Sequence, residues 1–147
     1  MFVPHNVTLY IVTENDDNTV NVDTTILRGV FLDTTNARTV SNVGANSSSN
    51  ATLFIPFSVR ATGTDGREKS FVDHKRYMEL DDPAEHWTLC PSGDSSVADC
   101  YFVKGEVYSA LEYAEAKRLY PDVYKVSSII TRDFGSVDMQ HWQVMAD

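Results

Sequence analysis

The residues of this 147-residue chain best suited to chemistry are its four histidines and two cysteines. Two of the histidines stand directly before the only two tryptophans, as His86-Trp87 and His141-Trp142. An imidazole beside an indole wall could be half of a metal or acid–base site. The spacing argues otherwise. Asp73-His74 and Glu85-His86 are adjacent pairs, whereas helical ligands of one metal stand three or four residues apart. Neighbours in a strand point to opposite faces. Buried indoles at Trp87 and Trp142 would therefore share one core and leave both histidines on its rim. His5 and His74, in polar surroundings, are expected at the surface.

The remaining chemistry is sparse. Cys90 and Cys100 flank Pro91-Ser92-Gly93-Asp94; a bridge across such a turn is geometrically possible, but the default in a reducing compartment is two free thiols. Gly63 and Gly66 are not followed by the Lys-Ser/Thr of a phosphate loop. Asp16 and Asp17 lack the spaced acids and the bidentate glutamate of a calcium loop, and no serine sits in a nucleophile elbow. The expectation is a protein that is not an enzyme, with no catalytic residue, metal or cofactor.

Charge limits the partners. The formal net charge is -9. The first 27 residues hold Glu14, Asp16, Asp17 and Asp23 without a Lys or Arg, and Glu79, Asp81, Asp82, Glu85, Asp94 and Asp99 also lack a neighbouring cation. Such a surface repels phosphate, so DNA would slide past it rather than bind. No apolar run approaches the ~20 residues of a membrane span. The N-terminal residues lack the basic and apolar regions of a signal peptide, which implies assembly in the cytoplasm.

Most of the chain alternates with the period of half-buried strands. Residues 6–13 place Val7, Leu9 and Ile11 on one face and Thr8, Tyr10 and Val12 on the other. Residues 14–18 read as a turn. A second strand runs over 24–32, with Ile26 and Val30 on one face and Gly29 marking a bend. Residues 34–50 form a polar loop whose Asn46, Ser47, Ser48, Ser49 and Asn50 have no means of building a core. Residues 51–60 are a strand that Pro56 places at an edge, bulges or ends, and pairing resumes over 69–72. Residues 73–85 leave room for a short helix. Strands over 87–89 and 99–108 flank the cysteine turn. Ser109 and Glu112 fit a capping box opening a helix that Pro121 stops. Residues 124–132 are a strand, Phe134-Gly135-Ser136 a turn, and residues 141–145 a last strand. The sum is a mainly β single domain over 1–147 with one helix, a small antiparallel barrel or sandwich.

The order of several short motifs resembles a family. Ile26-Leu27-Arg28-Gly29-Val30-Phe31, Leu53-Phe54-Ile55-Pro56, Trp87-Thr88-Leu89, Tyr101-Phe102-Val103-Lys104-Gly105, Arg132-Asp133-Phe134-Gly135-Ser136 and His141-Trp142-Gln143-Val144 resemble small proteins from the structural modules of tailed bacteriophages and prophages of Gram-positive hosts. The likeness covers about residues 7–144. Where that family often has Gly-Asp before the aromatic strand, this chain has Ala98-Asp99, which moves the turn toward Ser92-Gly93-Asp94.

The resemblance implies a virion protein of the head–tail connector, of the head-completion or stopper type. Such subunits form a homo-oligomeric ring between portal or adaptor and tail-completion proteins, in passing contact with packaged DNA. It makes residues 46–50 the candidate loop toward the channel or a partner. Trp87, Trp142, Phe134 and Gly135 become its structural core, with the last strand closing the barrel. Two alternatives stand beside it: a tail terminator or tail-completion protein, and a β-sandwich module for carbohydrate or another small ligand.

Overall fold

A computed structural model describes residues 3–14, 17–34, 51–92 and 97–147. It is mainly β, with one seven-residue helix as the main helical element. The strands are β1 (His5–Glu14), β2 (Val20–Thr34), β3 (Ala51–Pro56), β4 (Arg60–Thr62), β5 (Ser70–Phe71), β6 (His86–Trp87), β7 (Val97–Lys104), β8 (Val123–Arg132) and β9 (His141–Ala146). The helices are α1 (His74–Tyr77) and α2 (Tyr113–Leu119).

The main sheet runs β1-β7-β8-β9-β3-β2-β4, and β2 also pairs with β1. Hydrogen bonding thus returns on itself through β1, β7, β8, β9, β3 and β2, every pairing antiparallel. Closure of this kind is how a small all-β domain removes its free edges. Two strands turn the corners. β8 pairs with β7 over Val123–Lys125 and with β9 from Val126 onward, with a register shift between Val126 and Ser128. β2 pairs with β1 along most of its length and with β3 over Phe31–Thr34.

The bend in β2 is a bulge at Gly29, whose φ of 87° favours glycine. The extra residue shifts side-chain parity. Leu27 before the bulge and Val30 and Leu32 after it all face the interior cluster, so Ile26 and Val30 lie on opposite faces, against the simple alternation. The same bulge draws in His5. Its Nδ1 accepts the Leu32 N–H at 3.0 Å and its ring lies 5.7 Å from that of Phe31. His5 and His74 are both half-buried rather than surface residues.

Pro56 is the final residue of β3, which pairs on both sides. Of the options that proline left open, the strand simply ends there. Residues 63–92 then fold over the barrel as a cap. The cap holds α1, a 3-10 turn at Pro83–Glu85, and the parallel pair β5–β6. Because β6 pairs with β5, Trp87 and β7 are not partners in a hairpin around the cysteine turn.

A second cluster covers the outside of β1 and β7. Tyr10, Val12, Tyr101 and Val103 pack there under Val107, Leu111 and Ala116. The covering strap, residues 105–112, is held by hydroxyls from the barrel wall. Thr8 Oγ1 donates to the Gly105 carbonyl and accepts the Val107 N–H, both at 2.8 Å. Tyr10 donates to the Ser109 carbonyl at 2.9 Å and Tyr101 to the Leu111 carbonyl. These bonds take up the backbone expected to start the helix. α2 therefore begins at Tyr113, with Glu112 at its N-cap and no side-chain cap bond, and the capping box at Ser109 does not form. Among the described residues no helix is long and apolar enough to cross a membrane.

Candidate functional site

The paired His-Trp motifs resolve as packing. Trp87 and Trp142 are both buried and meet edge to face with ring centroids 5.5 Å apart. Phe71 joins them at 5.0 Å and 4.3 Å, and Phe57 lies 4.4 Å from Trp142. The histidines turn away, as strand alternation requires. His86 Nε2 lies 3.6 Å from an Asp82 carboxylate oxygen. His141 packs its ring 5.7 Å from Phe54 and places Nδ1 2.8 Å from the Met139 carbonyl. The two histidines meet different partners and form no joint site.

A polar cluster that the sequence did not announce lies where the cap meets β2. Lys69 enters from the cap with a side chain only 4% exposed, beside an Asp23 carboxylate 21% exposed. Its ammonium donates to Asp23 Oδ1 at 3.1 Å, the Thr24 carbonyl at 2.9 Å and Thr25 Oγ1 at 3.0 Å. Asp23 Oδ2 accepts the hydroxyl of Tyr77 from α1. Burial, then the neighbouring Asp23 carboxylate, pushes the Tyr77 phenol well above its ordinary range, so it stays a donor. An ammonium has three donors, and all three are taken. Lys69 is thus neither a nucleophile nor a free cation; it pins the cap to the barrel.

Beside this cluster a groove of about 410 Å³ runs between the β1–β2 turn and the cap. Its lining combines Val22, Met78, Leu80 and Pro83 with the carboxylates of Glu14 and Asp23. An adjoining cleft of about 260 Å³ lies on the other side of Asp23 and Ala84, toward Thr64, Lys69 and Tyr108. Both are shallow and polar-rimmed, with Asp23 forming a shared wall. No spacing in the sequence links Asp23, Lys69 and Tyr77. A lone lysine at a strand start reads as a solvent-facing charge until the fold closes over it.

The β8–β9 hairpin is the opposite case, with apolar residues and no cover. Beyond Arg132, the last residue of β8 in the ladder with β9, the chain turns through Gly135 at φ 85° and a short 3-10 turn at Val137–Met139. Phe134 is 66% exposed, Val137 81% and Met139 54%. This corrects the assignment of Phe134 and Gly135 to the core: the hairpin turns outward beyond β3, which ends at Pro56, so the Phe134 ring meets solvent. Trp87 and Trp142 keep their core places. The candidate loop residues Asn46, Ser47, Ser48, Ser49 and Asn50 lie outside the described residues.

Among the described residues no group of three or more His, Cys, Asp or Glu side chains is arranged to hold a metal ion. No curated protein and no solved structure matches the chain. One family model does, over residues 2–147, and its description is a family of unknown function. With nearly the whole length matched, the chain belongs to the family of unknown function DUF6751.

Proposed function

We propose that this protein is a structural subunit of a tailed-phage virion, a member of the ring that joins head to tail around the DNA exit channel. The observation that carries the reading is the bare apolar tip of the β8–β9 hairpin, with Phe134, Val137 and Met139 in solvent on a rigid two-stranded support. Clustered apolar residues at a projecting tip mark a surface made to be covered. A tip that docks on a different patch of the next copy makes a head-to-tail contact, and such contacts form a ring when the rotation from copy to copy closes.

Three further features support it. The motif order resembles that of phage structural-module proteins. The closed barrel gives a stiff body for a ring. The net charge of -9 keeps packaged DNA from sticking to a channel wall. Portal or adaptor and tail-completion proteins would be the neighbours above and below, and residues 46–50 a contact toward the channel or a partner. A tail terminator or tail-completion ring would use the same tip, and gene order between portal and tail-tube genes separates the two. A small-ligand module is the other reading, supported by the groove of about 410 Å³, a size within the range of ligand sites; binding on a glycan array by a monomer would favour it.

The test is the composition of purified phage particles. Mass spectrometry should find the chain in tailed virions, and electron microscopy with a specific antibody should place it at the neck. A chain expressed in infected cells yet absent from particles would overturn the proposal.

A further inference from the structure

We propose that the groove between the β1–β2 turn and the cap is the socket for the β8–β9 tip of a second copy of this chain. The inference rests on the reading of the tip as an assembly face and names the patch that it meets on the neighbouring copy. Its first support is topological. Around the closed sheet, β7 on one side and β3 on the other separate the β1–β2 pair from the β8–β9 pair. The two hairpins therefore stand on opposite walls of the barrel. β1 and β8 are both antiparallel to β7, so they run the same way and both hairpins turn at the same end. The cap spans that end: Lys69 and Tyr77 reach Asp23 of β2, while Phe71 and Trp87 reach Trp142 of β9. A tip and a socket at one end, on opposite walls, are what a head-to-tail contact between like copies requires.

The two surfaces match in chemistry. The tip offers Phe134, Val137 and Met139, each more than half exposed. The groove of about 410 Å³ offers Val22, Met78, Leu80 and Pro83 as half-buried apolar walls, a volume in the range of clefts that bury a compact apolar ligand. Of its two carboxylates, Asp23 already accepts from Lys69 and Tyr77, and Glu14 stands exposed at the end of β1. An entering ring thus buries no unpaired charge beneath it.

Charge favours the same fit. Asp133 and Asp138 flank the apolar tip, and both are exposed. α1, whose Tyr77 lines the groove, carries exposed Lys75 and Arg76. Among the described residues none of these four charges has an ion-pair partner. Two carboxylates at the tip therefore match two cations beside the socket. Copies of net charge -9 repel one another at long range, and a basic edge lets an acidic tip approach in one register. A free small ligand would fill the groove and leave the tip bare, whereas a second copy covers both at once. One such contact is small, and closing the ring adds the strength that each contact lacks.

Light scattering on the full chain, at high protein concentration, tests the pairing. Ala84 is exposed and lines the groove, so Ala84→Trp fills the socket without emptying the core. The expected result is a monomer. Mixed with Phe134→Ser/Val137→Ser, also expected to be monomeric, it should form a dimer of one chain of each kind. In that mixture one intact tip meets one intact groove, and nothing remains to extend the assembly. Lys75→Glu/Arg76→Glu should raise the concentration for half-assembly roughly tenfold, less so at high salt. A wild-type chain that never assembles would overturn the tip reading and this pairing with it. Assembly lost in the tip variant but kept unchanged in both groove variants would overturn the pairing alone and leave the groove to a small ligand. Two monomeric variants that stay apart when mixed would also overturn it. If Ala84→Trp does not fold, the exposed Lys75→Glu/Arg76→Glu pair decides by itself.

Discussion

β1 and β8 are neighbours of the same strand, β7, yet they live in different surroundings. β1 buries six residues in succession, Val7 through Val12, while β8 buries only Val123 and Val126. The interior is common to both; what differs is the outer face. Over β1 and β7 the strap and α2 supply a second core, held by hydroxyls of Thr8, Tyr10 and Tyr101. Over β8 that cover reaches only the start, where Val123 joins the second core and Lys125 lies over the Tyr113 ring; the far end of the hairpin carries exposed Phe134, Val137 and Met139. One chain can thus finish one flank by itself and leave the other flank for a partner, and that contrast underlies the proposed ring.

The contrast can be tested from the strongest effect down. Trp142→Ala removes the indole that joins Trp87, Phe71 and Phe57. A loss of about 3–5 kcal/mol is expected in denaturant melts, close to unfolding for a domain of this size. His141→Ala, one residue away on the rim, should change stability by less than about 0.5 kcal/mol. Equal effects would sink the packing account of the His-Trp pairs.

Lys69→Met comes next. It leaves Asp23, the Thr24 carbonyl and the Thr25 hydroxyl without their cation, at a cost of roughly 3 kcal/mol. Loss of protection should appear first in the cap, so hydrogen exchange at residues 70–92 should rise before exchange in β1. A uniform rise would deny Lys69 its pinning role.

Thr8→Val probes the finished flank. It keeps the shape but strands the Gly105 carbonyl and the Val107 N–H, costing about 2 kcal/mol. A neutral result would show the strap to be held by apolar packing alone.

Glu106 gives the mildest effect. Hydrogen bonds from Tyr108, Arg28 and Asn6 hold its carboxyl below the usual range. A depressed folded pKa means stability present above the unfolded value, near pH 4.5, and lost as pH falls through the folded one. The wild-type Tm should therefore fall more between pH 6 and 3 than that of Glu106→Gln, by a small margin because the site is exposed.

Much of this architecture is legible in the residues. Alternation finds β1, β7, β8 and β9, and the adjacency of histidine to tryptophan correctly separates rim from core. Failures fall where tertiary contacts override local preference. Ser109 has the makings of a helix cap, but Tyr10 claims its carbonyl and Tyr101 that of Leu111, so α2 starts later. Ile26 and Val30 would share a face but for the bulge at Gly29. The family resemblance places Phe134 in the core, while locally it reads only as part of a turn, and no local signal tells a turn that folds inward from one that reaches out. Asp23, Lys69 and Tyr77 are distant in sequence, and only the cap brings them together.

The central claim is that the uncovered β8–β9 flank is an assembly face, and the most direct measurement is molar mass by light scattering across a concentration series. The wild-type chain should form a defined multimer, and the double variant Phe134→Ser/Val137→Ser should be monomeric with an unchanged Tm. A wild-type chain that stays monomeric at every concentration, or a double variant that assembles equally well, would contradict it.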